Sequence, residues 1–174
     1  KSFVSPIADL GNLSYKYFLL DSAVLDNRYK CYKIAFLPRR KGEMVFEGEM
    51  WVHDTTFAVK QIEATIQKDA NINWINGFKV YHEYNQVAPE VWMLTKENVV
   101  VDFNVSEKAV GFYGRKTTIY DDFTINQPKD EDFFQAFSDI EVAEDANDKS
   151  ADYWEQQRPE ELSATESQIY QMVD

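Results

Sequence analysis

Seven runs of β-branched and aromatic residues, separated by short turn signals, constrain the fold of this chain more than any other feature. The runs cover residues 15–21, 28–37, 44–53, 56–68, 74–84, 91–105 and 110–123, and this composition is typical of β-strands. Turn-forming residues lie between the runs, including Asp26-Asn27, the stretch 38–42 and Ala88-Pro89. Because connections this short join consecutive strands only in antiparallel order, the sequence predicts an antiparallel meander over residues 1–125.

The third and fourth runs alternate apolar and polar residues, which predicts a sheet with one buried face and one solvated face. Apolar or small residues occupy the even positions: Met44, Phe46, Gly48, Met50 and Val52, then Ala58, Ile62, Ala64 and Ile66. Three apolar residues break the pattern by lying on the nominally polar side: Trp51, Phe57 and Val59. We therefore expect a helix or a loop to cover part of the second face.

The formal charge of −12 is concentrated at the C-terminal end of the chain. Residues 1–120 carry 15 basic and 14 acidic side chains, whereas residues 121–174 carry 3 and 16. A phosphate-binding surface needs a net basic patch, so this balance argues against a nucleic-acid partner.

We interpret residues 126–174 as an acidic helical segment. Helices are predicted from residue 130, over 151–157 and over 165–173, the last preceded by the capping-box residues Ser163 and Glu166.

Few residues in this chain are suited to catalysis or metal binding. It has two histidines, His53 and His82, and one cysteine, Cys31, all within predicted strands. A zinc site needs at least three protein ligands, and a lone strand cysteine is more often a packing residue than a nucleophile. No run of about 18 apolar residues is present to form a transmembrane helix. We expect no enzyme activity, no metal and no cofactor.

Two charged features each allow a functional and a structural interpretation. Glu47 and Glu49 share one strand face and resemble the paired acids of glycoside hydrolases, but a solvated strand face is the favoured interpretation. The basic stretch at residues 38–42 has the composition of a soluble hairpin loop. Its alternative role is contact with anionic lipid headgroups.

The predicted sheet contains more aromatic side chains than a thin one-sided core requires. They form either a bulky core or an apolar cavity that takes a hydrophobic ligand such as an acyl chain. The candidate ligand-binding residues are Phe46, Met50, Trp74, Phe78, Trp92, Phe103 and Phe112. The two interpretations stay open at this point, with the core favoured.

Residues 49–59 resemble a strand–turn–strand element of the lipoprotein-carrier fold, and residues 32–38 match its strand closing on a Pro-led hairpin. More specifically, the chain is similar to an uncharacterised middle region of Gram-negative outer-membrane proteins that begin with a carboxypeptidase-regulatory-like domain. The matching stretches are 17–22, 31–38, 46–57, 70–74, 153–158, 162–166 and 169–172.

The resemblance implies a mainly β (α+β) fold, an antiparallel meander forming an unclosed, strongly curved barrel. Helices would pack on its concave side or at the C-terminal end. It also implies a location at the periplasmic face of the outer membrane, with the protein's own N-terminal and C-terminal domains as partners. Trp154, Arg158 and Leu162 would dock the tail against them. The family has no assigned activity, so no catalytic residue is implied.

These observations lead to three hypotheses about function. The first is a non-enzymatic periplasmic module of a larger outer-membrane protein that binds a partner or links domains. The second is the binding of a lipid or lipoprotein acyl chain in the half-barrel cavity. The third, which depends only on paired acids and exposed aromatics, is a carbohydrate-active enzyme.

Overall fold

The computed structural model describes residues 3–67, 70, 72, 74–103, 111–134, 148–158, 160–164 and 166–168. Its contacts divide the chain into two compact units, Lys1–Asp122 and Phe123–Asp174. The first unit contains the whole sheet, and the second contains short helical segments of the acidic C-terminal region.

The first unit is a mainly β structure, a single seven-stranded antiparallel sheet in which every strand pairs with its neighbours along the chain. The strands are β1 (Tyr15–Leu25), β2 (Tyr29–Pro38), β3 (Phe46–His53), β4 (Val59–Ile66), β5 (Ile75–Ala88), β6 (Val91–Phe103) and β7 (Phe112–Ile119). A short helix, α1 (Gly11–Ser14), precedes β1. The predicted meander is therefore confirmed, and it does not close into a barrel because β1 and β7 are edge strands.

The tight turn between β1 and β2 explains why these strands form a hairpin. Asp26 and Asn27 both have positive φ angles, of 52° and 53°, as a two-residue turn with the right hairpin twist requires. The turn closes with the amide of Arg28 donating to the carbonyl of Leu25 at 3.0 Å. Asn and Asp tolerate this left-handed conformation better than other non-glycine residues.

The core lies on one face of the sheet and is centred on strands β2, β3 and β4. Met50 pairs with Ile34 on one side and with Ile62 on the other. The buried cluster consists of Tyr15, Phe36, Val45, Met50, Ile62 and Ala64. This is the face that the even-numbered apolar positions of β3 and β4 predict.

The N-terminal segment covers one end of this apolar face. The hydroxyl of Tyr15 donates to the carbonyl of Val4 at 2.6 Å and accepts from the amide of Phe46 at 2.9 Å. The ring of Phe3 lies 5.0 Å from the ring of Phe46, centroid to centroid. A loop therefore shields this part of the apolar face.

A β-bulge in β4 corrects the sequence-based assignment of Val59. Trp51 pairs with Gln61, but the next residue, Val52, pairs with Val59, so Lys60 is an extra residue in the strand. Val59 consequently packs on the apolar face, whereas simple alternation put it on the polar face. Phe57 belongs to the preceding turn, with a φ of 57°.

The second unit contains a helix where the sequence predicts one. Helix α2 (Ala151–Gln157) is capped by Ser150, whose side chain accepts from the amide of Tyr153 at 3.2 Å. Ser163 and Glu166 form the predicted capping box: the Glu166 amide donates to the Ser163 hydroxyl oxygen at 3.3 Å, and the Ser163 amide donates back to the Glu166 carboxylate at 2.9 Å. The helix predicted from residue 130 begins as a short 3₁₀ helix, Glu131–Phe134; its continuation lies outside the described residues.

Candidate functional site

The solvated face of the sheet is organised by ion pairs between adjacent strands. Lys33 pairs with Glu49 at 2.5 Å and Lys79 pairs with Glu63 at 2.7 Å. Glu49 and Glu63 are directly opposite each other on β3 and β4, so each lysine offsets the repulsion between them. Glu47, the other acid of the predicted pair, accepts a hydrogen bond from Gln67 at 3.2 Å. This pattern is typical of a structural strand face.

One lysine on this face is fully buried. Lys60 is 0% exposed, and its ammonium group contacts three oxygen atoms. The carboxylate of Asp26 lies at 2.9 Å, that of Glu83 at 3.0 Å and the amide oxygen of Asn85 at 2.7 Å. The ammonium also lies 5.8 Å from the centroid of the Tyr29 ring. All three donors of the ammonium can therefore be satisfied, as a buried charge requires.

Two neighbouring bulges build this lysine site. The bulge in β4 turns Lys60 toward the polar face, where Glu83 lies. The second bulge is in β6. Glu83 of β5 pairs with Lys96 of β6, but the next residue of β5, Tyr84, pairs with Leu94, so Thr95 is an extra residue in β6. The Thr95 hydroxyl accepts from the Asn85 amide at 2.7 Å and donates to the Glu83 carbonyl at 3.2 Å. Bulges of this kind re-aim side chains and are frequent next to functional sites.

Charge balance keeps Lys60 protonated. Burial lowers the pKa of Lys60, but the hydrogen bonds and charges of Asp26 and Glu83 together outweigh burial and raise that pKa above its usual 10.5. A protonated amine has no lone pair with which to attack a carbonyl group. The geometry therefore supports a structural role for this lysine, which ties the β1–β2 turn to β4 and β5, rather than nucleophilic catalysis.

Tyr81 connects the lysine site to an open groove on the same face. Its hydroxyl donates to the second oxygen of the Glu83 carboxylate at 3.2 Å. Burial first, and then the charge of Glu83, raise the pKa of Tyr81 to about 12. The groove has a volume of about 360 Å³ and is lined by Glu63, Lys79, Tyr81, Lys96, Asn98, Val100, Tyr113 and Arg115. This lining of charged groups and tyrosines suits a polar ligand or a polar protein surface.

An aromatic cluster lies beside the lysine site. The ring of Trp92 is 5.0 Å from that of Tyr29 and 5.3 Å from that of His53. Cys31 lies on β2, is fully buried and forms no disulfide bond. Burial raises the pKa of the Cys31 thiol, so the residue has the properties of the packing cysteine that the sequence indicates.

The seven candidate cavity residues fall in several different places. Phe46 and Phe78 contact each other on the apolar face at 6.3 Å between ring centroids, and Met50 is buried in the core there. Phe103 and Phe112 are paired across β6 and β7 near the far edge, where they are 39% and 65% exposed. The other two lie apart: Trp92 in the aromatic cluster and Trp74, 67% exposed, before β5.

The three tail residues occupy the second unit. Arg158 and Leu162 line one groove of about 350 Å³, together with Glu155, Glu160, Glu161 and Ser167. Trp154 on α2 is 56% exposed and packs edge-on against Tyr153 at 5.3 Å. The structure thus brings Arg158 and Leu162 together and leaves the Trp154 ring outside their groove.

The alternation of apolar and polar residues does not predict the lysine site, because that pattern does not show where a strand contains a bulge. One signal was available: Lys60 is a charged residue in phase with the apolar positions 62, 64 and 66.

No group of three or more His, Cys, Asp and Glu side chains within the described ranges is placed to hold a metal ion. Likewise, no helix among those same residues is long and apolar enough to cross a membrane.

The fold and its two faces define an open antiparallel β-sheet module with a salt-bridged polar surface. The chain belongs to a family of unknown function, DUF5686, whose model matches residues 1–123. That match covers the whole sheet and ends before the tail residues Trp154, Arg158 and Leu162. No curated protein and no solved structure matches the chain significantly.

Proposed function

We propose that this chain is a non-enzymatic binding module of a larger outer-membrane protein, located at the periplasmic face of that membrane. It would hold another segment of that protein, or a partner, by adding a strand to its sheet. The observation that supports this proposal is the outer edge of β1. This edge strand is 11 residues long, and no other strand of the described residues pairs with its outer side.

An edge strand of this length is a template for pairing because its outward backbone groups have no partner in the sheet. Soluble proteins usually protect such edges with charged residues, prolines or bulges. β1 has one bulge, at Leu20, and its charged residues Lys16 and Asp21 lie on either side of an apolar run. In that run Phe18, Leu19 and Leu20 are 47%, 69% and 51% exposed. A strand placed against β1 would cover them and satisfy the backbone groups, as in known strand-addition complexes.

The opposite edge of the sheet differs in its protection. Strand β7 has only 8 residues and carries the adjacent charged residues Arg115 and Lys116. Charges on an edge strand discourage pairing with another chain. The greater length of β1 and its exposed apolar run favour β1, rather than β7, as the pairing edge. Its occupant would be an extended, apolar segment of a flanking domain.

Hydrogen exchange of residues 15–25 tests this proposal. We expect these amides to exchange at least about tenfold more slowly in the complete outer-membrane protein than in the isolated 174-residue chain, because pairing protects edge amides. The double variant F18K/L20K should restore fast exchange in the complete protein. A matched variant on the other edge, F112K/Y113K, replaces side chains that are 65% and 72% exposed and should leave β1 protected. Equal exchange of β1 in both proteins would refute the proposal.

A second candidate function is the binding of an acyl chain along the apolar face. The observation that favours it is incomplete coverage: several hydrophobic residues packed against the core are only partly buried, namely Ile34, Phe46, Val52, Val59, Val80 and Tyr84. Protein purified without detergent should then carry lipid detectable by native mass spectrometry, and added fatty acid should raise its melting temperature. Absence of both effects would contradict this candidate.

A further inference from the structure

We propose that one corner of the sheet binds the surface of an anionic lipid bilayer. The corner consists of residues 7–16, which precede and begin β1, and residues 37–43, which end β2 and begin its connection to β3; we call it the basic corner. This inference is independent of strand pairing at β1, because it depends on exposed side chains at the end of the sheet rather than on the backbone edge.

Hydrogen bonds fix the two parts of the basic corner against each other. The side chain of Arg39 donates from Nε to the carbonyl of Asn12 at 2.8 Å. Its backbone amide donates to the carbonyl of Ser14, also at 2.8 Å. The hydroxyl of Tyr17 donates to the carbonyl of Pro6 at 2.6 Å and holds the start of the segment. The apolar segment and the basic turn therefore form one surface.

Large apolar side chains project from this surface. Ile7, Leu10 and Leu13 are 58%, 68% and 64% exposed. They lie within seven residues of sequence around α1. Transfer of leucine and isoleucine side chains from water to the acyl boundary of a bilayer lowers the free energy. Exposed apolar groups in this number next to basic groups are characteristic of interfacial binding segments.

Basic side chains accompany these apolar groups. The basic corner contains Lys16, Arg39, Arg40 and Lys41, opposed by the two acids Asp9 and Glu43, so its formal charge is +2. The side chain of Arg40 stays 77% exposed even though it pairs with Glu43 at 3.0 Å. Each basic residue near an anionic bilayer adds a favourable electrostatic contribution to binding. The corner thus supplies both contributions that peripheral membrane attachment needs.

The overall charge of −12 does not prevent this contact. All of the acidic excess lies in residues 121–174, because residues 1–120 carry 15 basic and 14 acidic side chains. At physiological ionic strength the screening length is about 8 Å, so charges farther than this from the corner are largely screened. An acidic protein partner would satisfy the basic residues equally well. The exposed Ile7, Leu10 and Leu13 held against the basic turn favour a bilayer, whose interface offers both an anionic layer and an apolar layer.

Vesicle cosedimentation of the 174-residue chain tests the proposal. We expect binding to vesicles of 30% phosphatidylglycerol in phosphatidylcholine, no binding to pure phosphatidylcholine, and weaker binding at high salt. Reversing two charges with R40E/K41E should reduce the partition coefficient at least about tenfold, because two attractive contributions become repulsive. The variant L10N/L13N should also reduce it, by removing the apolar contribution. Arg39 is left unchanged in both variants, because its hydrogen bonds to Asn12 and Ser14 hold the two parts of the basic corner together.

The matched control is K30E/K116E, which changes the net charge by the same amount away from the basic corner. Lys30 lies at the opposite end of β2, and Lys116 lies on the opposite edge strand β7. This control should bind anionic vesicles as the parent chain does. Equal binding by R40E/K41E and the parent, or no binding of the parent to anionic vesicles, would overturn the proposal. An acidic protein partner would become the preferred occupant in the second case.

Discussion

Replacing Lys60 with alanine is expected to lower the free energy of unfolding by about 3–5 kcal/mol, the typical cost of breaking a buried ion pair. The substitution removes an ammonium group that is 0% exposed and leaves the carboxylate of Glu83, 25% exposed, without its cation. It also leaves the amide oxygen of Asn85 without its donor, which was 2.7 Å away. Chemical denaturation monitored by tryptophan fluorescence measures the change.

The matched control is the same substitution at Lys79. This lysine lies on the same face and pairs with Glu63 at 2.7 Å, but both side chains are more than half exposed, at 52% and 56%. Exposed ion pairs contribute about 0–1 kcal/mol, so Lys79→Ala should have a small effect. A loss at Lys60 no larger than the loss at Lys79 would show that the buried network does not stabilise the fold.

The lysine site also predicts how stability depends on pH. The pKa of Lys60 is raised above 10.5 in the folded chain and that of Tyr81 is raised from 10.0 to about 12. A group whose folded pKa exceeds its unfolded pKa contributes stability that is complete below the unfolded value and is lost as pH rises through the folded value. Stability should therefore fall between about pH 10 and pH 12. The fall should be smaller in Lys60→Ala, and an unchanged alkaline fall would contradict the assignment.

Gly48→Ala is expected to destabilise the sheet by about 3 kcal/mol or more, at the upper end of overpacking effects. A β-carbon at Gly48 would overlap the carbonyl oxygen of Glu63 and lie 3.0 Å from the α-carbon of Ala64. Both are backbone atoms of the adjacent strand, so the clash cannot be relieved by a rotamer change. Strands β3 and β4 would have to separate at the centre of the core. Thermal unfolding followed by circular dichroism measures the loss.

The control for this prediction is Gly114→Ala on β7, where a β-carbon would meet nothing within 4 Å. Removing backbone freedom from the unfolded chain should make this variant neutral or up to about 1 kcal/mol more stable. A neutral Gly48→Ala would mean that β3 and β4 are farther apart than the structure places them.

The strand order and the buried face follow from local sequence patterns. Seven β-type runs joined by short turns permit little besides a meander, and the alternation in residues 44–53 indicates the apolar face correctly. The Ser163–Glu166 capping box was also recognisable, because a capping box depends on residue types at a fixed spacing.

The lysine site was not predictable from the same patterns. Its geometry depends on two bulges, and whether a strand contains an extra residue is decided by pairing with its neighbours rather than by its own composition. The aromatic residues show a related limit. Trp74 and Phe112 resemble core residues in the sequence, but they lie at strand ends where the sheet offers no covering layer, so both are more than 60% exposed. Residue type alone does not report such positions.

The contacts around the β1–β2 turn have a consequence for how the sheet opens. Each strand pairs only with its sequence neighbours, so such an array can come apart one hairpin at a time, with each opening independent of the others. Several contacts reach across more than one strand, among them Asp26 to Lys60 at 2.9 Å, Arg28 to Gln86 at 3.3 Å and the ring of Tyr29 to that of Trp92 at 5.0 Å. They couple the first hairpin to β4, β5 and β6, so these strands should unfold as one cooperative group while β7 opens separately.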